Sequence, residues 1–111
     1  MKIYISIPIT GRPIEEAKEH AEWLKSSLEA HGHKCITPFE VCPESGNTYA
    51  YYMGKDIEAL LSDDIDAVVF GVGFHKSKGC QLELAAAHIY GKTIMEESPL
   101  GYLKFKNPIH K

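Results

Sequence analysis

The sequence predicts an α/β fold, a three-layer sandwich in which helices cover both faces of a parallel sheet of four to five strands. Three observations lead to it. Short β-branched or aromatic runs alternate with helical segments, the pattern of parallel crossover units. One run, "DAVVFGV" (66–72), is apolar almost throughout, as a strand covered on both faces must be. The length of 111 residues, with 44% apolar and 24% charged, gives room for one core and a single domain over 1–111.

The elements follow in order. "KIYISI" (2–7) is β-branched and aromatic and reads as the first strand, and "PITGRP" after it is a loop. Residues 13–31 form an amphipathic helix. Pro13 suits its first turn, Glu15 and Glu16 favour its positive end, and Gly32 stops it. Its buried stripe is Ala17, Ala21, Leu24 and Leu28. "KCIT" (34–37) is a second strand. Residues 38–53, with Pro38, Pro43, Gly46 and the tyrosines Tyr49, Tyr51 and Tyr52, read as a long connection, which in so small a domain signals function or motion. "KDIEALLSD" (55–63) is a short helix with Asp56 at its start. Residues 66–72 are the third strand, 79–90 a helix carrying Glu83, and "KTIM" (92–95) the fourth strand. On that helix, spacing assigns the buried stripe to Leu82, Ala85, Ala86 and Ile89, with Glu83 and Ala87 on another face. In the tail, "PLGYLKF" is expected to pack on the body and "KNPIHK" to fray.

Composition excludes several function classes. A net charge of −3 offers no broad basic footprint, which argues against duplex nucleic acid as a partner. No run has membrane-spanning length, and "MKIYISI" is too short for a signal peptide. Three cysteines (Cys35, Cys42, Cys80) without a CxxC suit a reducing cytoplasm better than a disulfide framework. His31 and His33 lie near Cys35, but no second ligand pair with zinc spacing follows, so no metal site is expected.

A strand order of 2-1-3-4 would reverse direction beside strand 1. Ligands of such sheets bind outside the carboxyl ends of the strands, at that reversal. Three segments should meet there: Ile7 to Arg12, the start of the 55–63 helix, and the loop 72–79. Glu83 lies about one turn into its helix at the same edge, where the positive helix end favours its ionised form. Each carboxylate alone is an ordinary acid near a helix start. Together, Asp56 and Glu83 would form a pair facing a cleft, one ionised and one protonated, as chemistry at a sugar carbon requires. Asp63, Asp64 and Asp66 read as a solvated turn at the opposite edge. "KSKG" (76–79) is a small anion candidate through Ser77, the N–H groups near Gly79, and Lys76 or Lys78. Arg12 adds a cation, and Phe74 with the three tyrosines offers faces for a nucleobase or packing for the core. His75 is an exposed loop residue able to act as a base.

"YISIPITG", "DIEALLSDDIDAVVF" and "GFHKSKGCQLELAAAHIYGKTI" resemble, in order and spacing, the nucleoside 2-deoxyribosyltransferase superfamily, nearest to its small uncharacterised branch. The resemblance covers roughly 1–95. It implies a flavodoxin-like (Rossmann-like) fold. It also implies cleavage or transfer at an N-glycosidic bond, with Glu83 as nucleophile at C1′ and Asp56 assisting base departure. Ser77 matches the serine that contacts phosphate in related deoxynucleoside monophosphate N-glycosidases, and Gly79 the glycine that opens the helix. Thr10, Gly11 and Arg12 correspond to the segment closing over sugar or phosphate, and Ser6, Ile7 and Phe74 complete the expected substrate-binding set. The implied partner is a small-molecule nucleoside or nucleotide, with no cofactor. Relatives build their sites at subunit contacts, so a homo-oligomer is implied as well. Two positions depart from the pattern. Ile7 stands where relatives often carry Gly, and Gln81 replaces a second glycine. These departures sustain a rival reading, a non-catalytic nucleotide-binding or sensing module.

Overall fold

The computed structural model describes residues 1–99 and 103–105. The elements are β1 (Lys2–Ser6), α1 (Ile14–Glu29), β2 (Lys34–Ile36), α2 (Pro38–Val41), α3 (Tyr49–Leu60), β3 (Ala67–Phe70), a 3-10 turn (Phe74–Lys76), α4 (Lys78–Ile89), β4 (Thr93–Glu97) and β5 (Leu103–Phe105). The sheet order is β2-β1-β3-β4-β5. The first four strands are parallel, as expected, and β5 adds an antiparallel edge against β4. Of the tail, "KNPIHK" lies outside the described residues. No helix among the described residues is long and apolar enough to cross a membrane.

The pleat of β1 divides the molecule. Successive side chains of a strand point to opposite faces. Ile3, Ile5 and Ile7 therefore meet the buried face of α1, made of the expected Ala17, Ala21, Leu24 and Leu28, with Val69 and Met95 beside them. Tyr4 enters the second core on the other face with Leu60, Val68, Phe70, Phe74, Cys80 and Ala87. Ser6 shares the register of Tyr4 and faces α4, where it meets Glu83. β3 is buried along its whole length, which accounts for its unbroken apolar run. At the far edge, Asp66 accepts the backbone N–H of Lys2 and Asp64 pairs with the Lys2 ammonium, so the exposed acids there stand apart from the cavity.

Three expectations are corrected. Residues 38–53 are not one long connection. Thr37 and Glu40 form a capping box that starts α2, and Thr48 caps α3 by accepting the N–H of Tyr51. Because α3 begins at Tyr49, Asp56 sits well inside it, and the helix-start explanation for this acid fails. On α4 the predicted stripe is inverted: Cys80, Glu83 and Ala87 are buried, whereas Leu82 (51% exposed) and Ile89 (72%) face out. α4 carries apolar or small residues on two opposite arcs, and spacing selects the one that faces out.

Candidate active site

A cavity of about 610 Å³ opens at the carboxyl edge of the sheet, beside the reversal between β1 and β3. Its walls come from the loop after β1 and the β3–α4 loop, as expected, and from the body of α3 rather than from the start of a 55–63 helix. The β1–α1 loop gives Ile7, Ile9 and Thr10, α3 gives Tyr49, Tyr52, Met53 and Asp56, and the start of α4 gives Ser77, Gly79 and Glu83. α2 and the segment after it add apolar cover through Pro38, Phe39 and Pro43.

Glu83 is 4% exposed, and no acid lies in the first turn of α4, so its position is not the ordinary helix-dipole arrangement. Ser6 Oγ donates to Glu83 Oε1 at 2.5 Å, and Tyr4 OH donates to Oε2 at 3.2 Å. Two hydroxyl donors aimed at one carboxyl favour its ionised form. Burial acts the other way and prevails: the Glu83 carboxyl is pushed up to about 7, chiefly by desolvation and further by the charge of Asp56. The sequence expectation that the helix end keeps Glu83 ionised is thereby corrected.

Asp56 is 7% exposed, and burial pushes its carboxyl up to about 6, opposed by a hydrogen bond with Tyr4. Its Oδ1 is the one buried side-chain polar atom without a partner among the described residues. A buried acceptor left unpaired is costly, so this atom, in the wall of a cavity, suits a donor brought by a ligand. Tyr4 joins the two acids. Its phenol has one proton, which it donates to Glu83 Oε2 or, in its place, to Asp56. Burial, then the two neighbouring acids, raises the phenol's own pKa, so it stays a proton donor. The acids therefore titrate as a pair near neutrality, and with a single proton the pair is a monoanion.

The other predicted residues divide into two groups. Ile7, Thr10, Ser77 and Gly79 line the cavity with Asp56 and Glu83. Ser6 lies beneath its floor, bonded to Glu83. Ser77 Oγ also caps α4 by accepting the N–H of Cys80 at 3.2 Å. Arg12, Gly11 and Phe74 are not in the cavity wall. Arg12 turns back to the carbonyl of Pro8, to His20 and to Glu16. Phe74 packs into the core against Phe70, and exposed His75 lies on its ring. Of the tyrosines, Tyr49 and Tyr52 line the cavity, while Tyr51 is exposed and bonds Glu44. Gln81, one of the two departures, donates from its amide to the Phe74 carbonyl and steadies the 3-10 turn. His31 bonds the Ser27 carbonyl, and His33 the N-terminal amine. Sequence reasoning missed Tyr4. The available signal was strand alternation, which puts Tyr4 and Ser6 on one face of β1.

The comparisons agree with this fold. A family model described as a domain of unknown function (DUF4406) matches residues 1–96. Among solved structures, a 2-deoxyribosyltransferase from the psychrotolerant bacterium Bacillus psychrosaccharolyticus is similar. It is described as a biocatalyst for nucleoside synthesis, and its TM-score is 0.67 at 25% identity, covering 89% of this chain and 73% of its own. Among curated proteins none matches significantly. The fold is thus 2-deoxyribosyltransferase-like.

Proposed function

This chain belongs to the DUF4406 family, and we propose that it binds a nucleoside or nucleotide in the cavity and cleaves or transfers at the N-glycosidic bond. The observation that carries the reading is the buried Glu83, held by two hydroxyl donors and linked through Tyr4 to an acid with an unpaired oxygen. The 2-deoxyribosyltransferase neighbour supports a deoxyribosyl substrate.

In the proposed reaction the pair acts with its proton on Asp56 and its charge on Glu83, the less populated of its two monoanions because the Glu83 carboxyl is pushed higher than that of Asp56. An oxygen of Glu83 attacks C1′, and the bond from C1′ to the base nitrogen breaks. The electron pair leaves with the base, which takes the proton of Asp56. Ser6 and Tyr4 fix the attacking carboxylate throughout. Water, or the N–H of a second base, then attacks C1′, gives its proton back to Asp56 and frees the Glu83 carboxylate, giving hydrolysis or transfer. The apolar wall around Phe39, Tyr49, Tyr52 and Met53 suits a nucleobase. Ser77 and the first N–H groups of α4 suit a 5′-phosphate, with Lys76 and Lys78 nearby.

We also place the protein in a reducing compartment such as the cytoplasm, because Cys35, Cys42 and Cys80 are all unpaired. Homo-oligomerisation belongs to the same proposal, supported by exposed Leu82, Ile89 and Tyr90 along α4, and sedimentation velocity tests it.

The test is incubation with a panel of deoxynucleosides and their 5′-monophosphates, with and without a free acceptor base. Base release or exchange is expected, and no product from any member at high enzyme concentration rejects catalysis. A binding or sensing module is the second reading. It is favoured by the raised pKa of Glu83, which leaves little ionised nucleophile below neutrality. Binding without turnover, unchanged in Glu83→Gln, would establish it.

A further inference from the structure

Behind the cavity, on the α1 side of the sheet, lies a polar chain that the proposed chemistry does not use. Glu97, at the end of β4, is 8% exposed. Its Oε1 lies 2.8 Å from His20 Nε2 of α1 and accepts the backbone N–H of Val72 at 2.8 Å. His20 Nδ1 lies 3.1 Å from Arg12 Nη1, which also donates to the Pro8 carbonyl at 3.0 Å. The second guanidinium nitrogen of Arg12 pairs with Glu16.

The direction of these bonds follows from elementary chemistry. A guanidinium only donates, so His20 Nδ1 must accept, and its proton lies on Nε2. That proton goes to Glu97, which accepts twice through one oxygen. Burial would raise the Glu97 carboxyl, but the bonds from His20 and Val72 oppose it, and the carboxyl lies below its usual value. The chain runs Arg12 to His20 to Glu97, with Val72 converging on the same acceptor. It closes only with a neutral, Nε2-protonated His20. Gly71 provides the space: a Cβ there would come within 2.9 Å of His20 Cε1 and 2.7 Å of Ile7 Cγ2.

The two ends of this chain hold two of the loops that line the cavity. Pro8 and Arg12 belong to the loop that presents Ile9 and Thr10, and Val72 begins the loop that presents Lys76 and Ser77. We propose that Glu97, acting through His20, is a positioning residue that ties the β1–α1 loop to the β3–α4 loop and so fixes the width of the cavity mouth. The same arrangement assigns Arg12 to the tie rather than to the ligand. The consequence for ligand affinity rests on the function proposed above.

The test has two readouts that need no ligand. A spectrum correlating ring nitrogens with ring protons at pH 7.5 should show His20 as the Nε2–H tautomer. Hydrogen–deuterium exchange should be about tenfold faster or more at the Val72 amide, and faster across 8–12, in Glu97→Leu. Glu97→Gln keeps an oxygen able to accept both bonds and should restore exchange close to wild type. His20→Phe is the second variant if Glu97→Leu does not fold, with the same gain in exchange expected. A third readout is the Kd for deoxyadenosine 5′-monophosphate, expected to weaken about tenfold in Glu97→Leu and to recover in Glu97→Gln. An Nδ1–H tautomer, an imidazolium at pH 7.5, or unchanged exchange in the disrupting variant overturns the tie. A wild-type chain that shows the tautomer and the exchange pattern but binds no member of the nucleotide panel upholds the tie and overturns the function instead.

Discussion

Ser6 Oγ and Glu83 Oε1 meet at 2.5 Å although 77 positions separate them in the chain. β1 supplies the hydroxyl and α4 the carboxylate, so the bond exists only when the sheet edge and the helix are correctly packed. It holds one oxygen of Glu83 while Tyr4 holds the other, and a carboxylate gripped in this way has little rotational freedom. Positioning of this kind is a large part of what a nucleophile needs.

Glu83→Ala is expected to abolish base release, a loss of at least about a thousandfold in kcat, while leaving the fold intact. Single-turnover assays beside circular dichroism check both halves. An active Ala variant would remove Glu83 from the chemistry.

Stability should depend on pH through the same side chain. The Glu83 carboxyl titrates at about 7 in the folded protein against an ordinary value of 4.5. The folded state therefore binds the proton more tightly. This contribution is fully present below 4.5 and lost as pH rises through about 7. Ionising the buried acid costs on the order of 3 kcal/mol across that window. Glu83→Gln, which cannot ionise, should flatten this part of the profile and raise Tm at pH 8. Thermal melts from pH 4 to 8 provide the measurement, and parallel curves for the two proteins would refute the assignment.

Asp56→Asn removes the charge that helps push the Glu83 carboxyl up. The rising limb of kcat/KM against pH should therefore shift to lower pH, while kcat falls because the proton donor is gone. A limb that stays in place would show that the two acids do not interact.

Tyr4→Phe deletes one donor to Glu83 and the hydrogen bond to Asp56. With less support for the charged form, the rising limb should move to higher pH, the opposite direction. A loss of about tenfold in kcat/KM is expected at pH 7. Pre-steady-state kinetics across pH distinguishes this shift from a simple loss of folded protein.

Gly71→Ala should destabilise the fold by about 1–3 kcal/mol, because the added methyl meets both Ile7 and His20. Urea midpoints measure the effect. A neutral result would mean that the two side chains can yield without cost.

Much of this molecule was written locally. The β-branched run of β1, the Ala17–Ala21–Leu24–Leu28 stripe of α1 and the unbroken apolar run of β3 each follow from short-range periodicity. Alternation of those elements determined the parallel sheet, and the sheet determined which loops meet at its carboxyl edge. Asp56 and Glu83 were legible as a candidate pair for that reason, although the helix-start argument for Asp56 was mistaken.

What the sequence could not decide was orientation. α4 carries Leu82, Ala85, Ala86 and Ile89 on one arc and Cys80, Leu84 and Ala87 on the opposite one, and spacing alone favours the arc that faces out. Its inner face was chosen by the sheet surface it meets, where Tyr4 and Ser6 offer hydroxyls that the Glu83 carboxyl accepts. Arg12 likewise had no local reason to turn from the cavity. His20 on α1 and, through it, Glu97 at the end of β4 draw it back. Local patterns encode which elements form; bonds between residues far apart in the chain depend on register and packing, and those exist only once the layers have closed.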